Sequence, residues 1–153
     1  MNENSIPEIQ VKNSPYFNYI FCLNKYSFLF DVAVQNIDLQ SENIKVEITS
    51  SYGIFEKYTF FVDKILEGSF TLTNFDFKYQ LQLLKNLTEK DIDSIKIVVS
   101  ANNEEIVATQ FNLDVLPMDH FGGLQVLPQL LASYVTPNNL AIYKIKSDAI
   151  KIL

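Results

Sequence analysis

Asp63, followed by Asp76 and Lys78 with one residue between them, is the series in this chain whose residue types come nearest to a known chemistry. Two carboxylates can hold Mg²⁺ through hard oxygen ligands, and a lysine beside them can stabilise charge that develops during phosphodiester hydrolysis. On a strand, Asp76 and Lys78 share one face. Metal-dependent nucleases set such groups in a mixed α/β core, however, and no helical pattern flanks them here. His120, the single histidine, adjoins Asp119. Neighbouring side chains of an extended chain point apart, and no serine or cysteine is marked as a partner, so a structural or surface role is expected. Cys22 is the single cysteine; it can form no internal disulfide, suits a reducing cytosol, and reads as a small buried hydrophobe. The acid pairs Asp91/Asp93 and Glu104/Glu105 fall in expected turns and read as solvated charge. Tyr52, Tyr58 and Tyr79 are able to stack on sugar rings, although strands this aromatic commonly place such rings in the core. These residues favour a chain that is not an enzyme, with no cofactor and no metal.

Charge narrows the partners. The 18 acids exceed 12 basic residues, every one of them lysine, for a net charge of −6. Arginine supplies the bidentate clamp on phosphate and guanine, and an acidic chain is repelled by a polyanion. Direct nucleic-acid binding is therefore not expected. The 153 residues, 48% hydrophobic with 12 Phe and 8 Tyr, suffice to bury a core and exclude a disordered chain. Neither a long apolar run nor a signal-like start is present, so a cytoplasmic chain with no membrane partner is expected.

The elements that must position these residues read as β-strands. Tyr26, Phe28, Phe30, Val32 and Val34 alternate with smaller or polar residues, as do Ile44, Val46 and Ile48. That period of two marks strands with one buried face. Ile6, Ile9 and Val11 add a short edge strand; Phe55–Val62, Phe70–Leu72, Phe75–Leu83, Ile95–Val99 and Val107–Val115 supply the others. A helical turn is expected around Leu84, Leu87 and Ile92. Asn102-Asn103 reads as a tight hairpin turn, because asparagine tolerates positive φ. Seven or eight strands joined by short turns, with no helix between them, predict an immunoglobulin-like antiparallel β-sandwich over residues 1–116. The Cys-Trp-Cys core of antibody domains is absent.

After Pro117 the period changes. Leu127, Leu130, Leu131, Tyr134 and Val135 recur at helical spacing, and Thr136-Pro137 offers an N-cap followed by proline at the first helical position. Ala141, Ile145, Ala149 and Ile152 then form one stripe. The sequence thus predicts two short C-terminal helices, making residues 117–153 a helical appendage that leads toward further sequence. Leu131, Tyr134, Ile145, Ala149 and Ile152 are the candidate partner-binding residues.

Phe121-Gly122-Gly123, Leu127-Pro128-Gln129-Leu130-Leu131-Ala132 and Val135-Thr136-Pro137-Asn138 together resemble a segment of certain large bacterial proteins. In that family a β-rich N-terminal domain of uncharacterised function precedes a superfamily 1-type helicase core, often followed by a nuclease-like domain. The family pattern is aromatic-Gly-Gly, then Pro-x-Leu-Leu-Ala, then Val-x-Pro-Asn; Phe121 stands where the family has tryptophan. The close match covers about 20 residues, and the strands before it agree only loosely. No Gly-x-x-x-x-Gly-Lys-Ser/Thr segment is present, so helicase activity would belong to sequence beyond Leu153 or to another polypeptide. The resemblance implies a non-catalytic protein-interaction or scaffolding module of a helicase- or nuclease-type machine, including machines directed against foreign DNA. The alternative from another class is a carbohydrate- or small-ligand-binding β-sandwich.

Overall fold

Alternating apolar side chains build the strands, and a computed structural model places those strands in two sheets. It describes residues 6–23, 29–38, 42–63 and 65–120. The chain divides into two units after His120, and the second, residues 121–153, lies outside the described residues, as do both expected C-terminal helices with Leu131, Tyr134, Ile145, Ala149 and Ile152. In chain order the strands are β1 (Glu8–Asn13), β2 (Tyr16–Phe17), β3 (Phe30–Gln35), β4 (Lys45–Ser50), β5 (Tyr58–Phe61), β6 (Phe70–Leu72), β7 (Asp91–Ala101) and β8 (Glu104–Val115). The smaller sheet has the order β1–β3–β6 and the larger β2–β8–β7–β4–β5. Every pairing is antiparallel except that of β2 with β8, where Tyr16 and Phe17 run parallel to Asp114 and Val115.

In β3, β4, β7 and β8 the buried phase is the one the alternation predicts. Phe30, Val32 and Val34 of β3, Val46 and Ile48 of β4, Ile95, Ile97 and Val99 of β7, and Leu113 and Val115 of β8 are fully buried. Phe30 meets Phe111 of β8 edge-on at 5.3 Å, so side chains of the two sheets share one core. Phe75 and Phe77 close on the same ring at 5.2 and 5.5 Å. Burying each such side chain contributes about 1.5–3 kcal/mol.

Two short helices correct the expectation that none lies between the strands. The first, α1 (Tyr19–Leu23), lies in the aromatic and apolar run from Tyr16 to Leu23. Asn18 starts it: its Oδ1 accepts from the Ile20 amide at 3.1 Å and its carbonyl from Phe21 at 3.2 Å. A side chain that bonds its own backbone two residues on diverts the chain from a ladder, and the turn it forms buries Phe21 completely. The second, α2 (Leu81–Asn86), replaces the end of the expected 75–83 strand and precedes the helical turn expected near Thr88. Residues 75–80 are extended but form no strand. They are held by the Phe55–Tyr79 bridge, by Glu56 N–H to Lys78 O at 3.0 Å, and by Gln80 N–H to Ile54 O at 2.8 Å. Leu84 of α2 is fully buried, whereas Ile92 belongs to β7 and is 54% exposed. The expected strand at Phe55–Val62 is limited to β5, because residues near Phe55 bond to the 78–80 segment.

The hairpin at Asn102-Asn103 forms as its chemistry predicts, with φ of 52° and 70°. A bulge between Val99 and Ser100 shifts the register of β7 against β8 just before it. No helix among the described residues is long and apolar enough to cross a membrane.

Candidate functional site

The candidate nuclease residues do not form a metal centre among the described residues. Asp76 and Lys78 lie on the exposed phase of an extended segment whose buried phase is Phe75 and Phe77. Lys78 Nζ sits 4.0 Å from Glu56 Oε2, an exposed pair of small energetic weight. Asp63 lies exposed just past the end of β5. No group of three or more His, Cys, Asp or Glu among the described residues could hold a metal ion.

His120 does meet Asp119, with Nδ1 at 3.2 Å from Oδ1, on an exposed turn. Its amide donates to Pro117 O at 3.0 Å and its carbonyl accepts from Asn18 Nδ2 at 3.1 Å, so its backbone ties the end of this unit to the start of α1. Cys22 on α1 is half-buried, and burial pushes its thiol up to about 12. At neutral pH it is a thiol and a poor nucleophile.

Asp93 overturns the reading of Asp91/Asp93 as turn residues. Both lie in β7, and Asp93 is fully buried. Its carboxylate accepts hydrogen bonds from Ser50 Oγ, from Ser51 Oγ at 3.1 Å and from the Tyr52 amide at 2.9 Å. Ser50 Oγ in turn accepts from the amides of Gly53 and Ile54 at 2.8 and 2.9 Å, and Ser51 Oγ from the Ser94 amide at 3.0 Å. The turn after β4 is therefore wound around one carboxylate. Gly53, at φ +83°, lets the chain fold back onto Ser50. The signal was present in the sequence: Asp93 occupies the buried phase of the Asp93, Ile95, Ile97, Val99 alternation, opposite a Ser-Ser-x-Gly turn.

That clasp sets Tyr52 over an open cavity of 320 Å³ lined by Leu83, Asn86, Leu87, Thr88, Glu89 and Asp91. The Tyr52 phenol is held above its ordinary range, first by burial and then by the charge and hydrogen bond of Asp91 and the charge of Glu89. The other two candidate tyrosines are committed to packing. Tyr58 lies edge-on to Phe75 and Phe77 at 5.7 and 5.2 Å. Tyr79 stacks on Phe17 at 5.1 Å, and its phenol is also raised, chiefly by burial.

The feature that sequence reading missed is the edge formed by β5. It ends the larger sheet, pairing Lys45, Val46, Glu47 and Ile48 with Phe61, Phe60, Thr59 and Tyr58. Val62 N–H donates to Ile44 O at 2.9 Å. Because paired groups alternate along an antiparallel ladder, Tyr58 and Phe60 bond toward β4, while Thr59 and Phe61 aim N–H and C=O away from it. No strand among the described residues takes up those groups. Phe61 is 63% exposed and Phe60, which hangs past Val46 on the core side, 37% exposed. On the outer face Glu47 is paired with Lys57 and, at 3.4 Å, with Lys45. The hydrogen bond from Lys57, with the help of Lys45, holds the Glu47 carboxyl below its ordinary range. Comparison with known proteins finds no matching family model, no similar curated protein and no similar solved structure.

Proposed function

We propose that this chain is an immunoglobulin-like β-sandwich acting as a non-catalytic protein-interaction module of a helicase- or nuclease-type machine, including one directed against foreign DNA. The strand orders support the sandwich. They set β1, β3 and β6 in one sheet and a central β4–β7–β8 block in the other, as immunoglobulin-like domains do. The observation that carries the interaction role is β5, an edge with outward backbone groups at Thr59 and Phe61 and exposed rings at Phe60 and Phe61. Such an edge accepts an added strand through main-chain hydrogen bonds and gains specificity from side-chain contacts. The machine itself is suggested by the residues from Phe121 to Asn138 that resemble the helicase-associated family.

A pull-down from the native host tests this, comparing the parent chain with a Phe61→Asp variant and a Tyr134→Asp/Ile145→Asp variant. Recovery of a helicase or nuclease polypeptide by the parent is the expected result. Loss with Phe61→Asp assigns that contact to β5, and loss with the double variant assigns it to the C-terminal residues. Recovery of no such polypeptide by the parent removes the machine from the reading.

The cavity beneath Tyr52 favours a second reading, a carbohydrate- or small-ligand-binding sandwich. An aromatic ring beside Asn86, Thr88, Glu89 and Asp91 offers both a stacking face and hydroxyl-binding groups. Titration of a labelled chain with a saccharide panel tests it; unmoved Tyr52 and Asp91 resonances at millimolar sugar sink it.

A further inference from the structure

We infer that the occupant of the β5 edge is the same edge of a second copy of this chain, in a two-fold dimer whose larger sheets run on into each other. The inference rests on reading β5 as a contact edge and names its partner.

Consider antiparallel pairing with the two-fold axis at Phe60. Thr59 of one copy then lies opposite Phe61 of the other, Tyr58 opposite Val62, and Lys57 opposite Asp63. Hydrogen bonding fits this alignment, since Thr59 and Phe61 are the two β5 residues whose N–H and C=O groups face away from β4. Slipping one strand by a single residue would oppose outward groups to inward ones, and no ladder would form. Charge then selects among the permitted alignments. Lys57 and Asp63 flank β5 on the outer phase shared with Thr59 and Phe61, both exposed, Lys57 beside Glu47 of its own chain, and only the alignment centred on Phe60 brings lysine against aspartate at both ends. Directly opposed unlike charges favour a cross-strand register.

The apolar groups agree. The two Phe60 rings meet at the axis on the core side, which covers a ring left 37% exposed in one copy. On the outer face each Phe61, 63% exposed, gains the methyl group of Thr59 from the other copy. The strand also lacks the usual obstacles to edge pairing: residues 57–63 contain no proline, and no bulge interrupts the β4–β5 register. Of the other sheet edges, β2 has two residues and β6 three, and β1, six residues long, is flanked by Pro7 before it and Pro15 after it.

Sedimentation equilibrium of the full chain, from micromolar to several hundred micromolar, tests the dimer. The expected result is a monomer–dimer equilibrium. Asp63→Lys sets like charges face to face at both ends and weakens it about tenfold, and Lys57→Asp combined with Asp63→Lys restores it. Thr59→Pro removes an amide that points away from β4, so it abolishes the dimer while leaving the fold, judged by its circular dichroism, intact. A monomer at every concentration overturns the inference, as does a dimer indifferent to both Asp63→Lys and Thr59→Pro. Two further readouts separate this failure from failure of the contact edge. In a monomer, slow amide exchange at Thr59 and Phe61 assigns the edge to another part of the same chain. A monomer that recovers a helicase polypeptide through Phe61 keeps β5 as a contact edge for that other partner. A monomer with neither property overturns the contact edge as well.

Discussion

Asp93 shows how a carboxylate is tolerated inside an apolar face. Burying an isolated charge is prohibitive, but one that accepts two hydroxyl hydrogen bonds and a backbone N–H is compensated. Asparagine in its place keeps the shape and turns one acceptor into a donor facing donors. Asp93→Asn is expected to lower stability by about 2–3 kcal/mol, read as a fall in urea midpoint, with faster amide exchange at Tyr52. Cys22 gives a second test at this scale. Its thiol is raised from 9.0 to about 12 in the folded chain, so the native state holds that proton more tightly than the unfolded state. The sign follows directly: this contribution to stability is complete below pH 9.0 and is lost as pH rises toward about 12. Cys22→Ser is expected to remove that part of the alkaline destabilisation, read from denaturant midpoints between those pH values. Iodoacetamide at neutral pH is expected to modify Cys22 far more slowly in the native chain than in urea.

Turn chemistry decides the elements. The β7–β8 hairpin needs positive φ at two successive residues, and Asn102 and Asn103 supply 52° and 70°. Asn103→Val places a β-branched side chain in that region and is expected to cost about 1–2 kcal/mol, whereas Asn103→Gly leaves the melting temperature nearly unchanged. Gly68 is constrained twice over, by φ +74° and by the Ile37 carbonyl, which a Cβ would approach to 2.8 Å. Gly68→Ala is therefore expected to destabilise more than Gly53→Ala, where nothing lies within 4 Å of the added Cβ; paired thermal melts decide. The hairpin was legible because two asparagines between alternating strands have few other conformations available. Helices α1 and α2 were not, since five and six residues are too few to display a helical period, and an aromatic run fits strand equally well.

At the scale of the molecule, the two sheets depend on one another through rings. Phe30 contacts Phe75, Phe77 and Phe111 while belonging to the smaller sheet. Phe30→Ala is expected to cost about 3–5 kcal/mol, and hydrogen exchange should speed up in β3 and β8 together if the core is shared. Loss of protection in β3 alone would mean that the sheets are stabilised separately. By itself, the sequence determined which residues alternate, which phase is apolar, where the chain reverses at Asn102-Asn103, and that the chain carries no arginine and a net charge of −6. These are local or additive properties, readable without knowing which segments meet. Only the tertiary structure decided which groups bond to Asp93, that residues 75–80 line the core without joining a sheet, and that β5 ends the larger sheet. Strand order is a matter of non-local pairing: Tyr58–Phe61 carries the same aromatic pattern whether flanked by one neighbour or two. Pairing of β5 with β4 alone among the described strands leaves Thr59 and Phe61 with hydrogen-bonding groups turned outward.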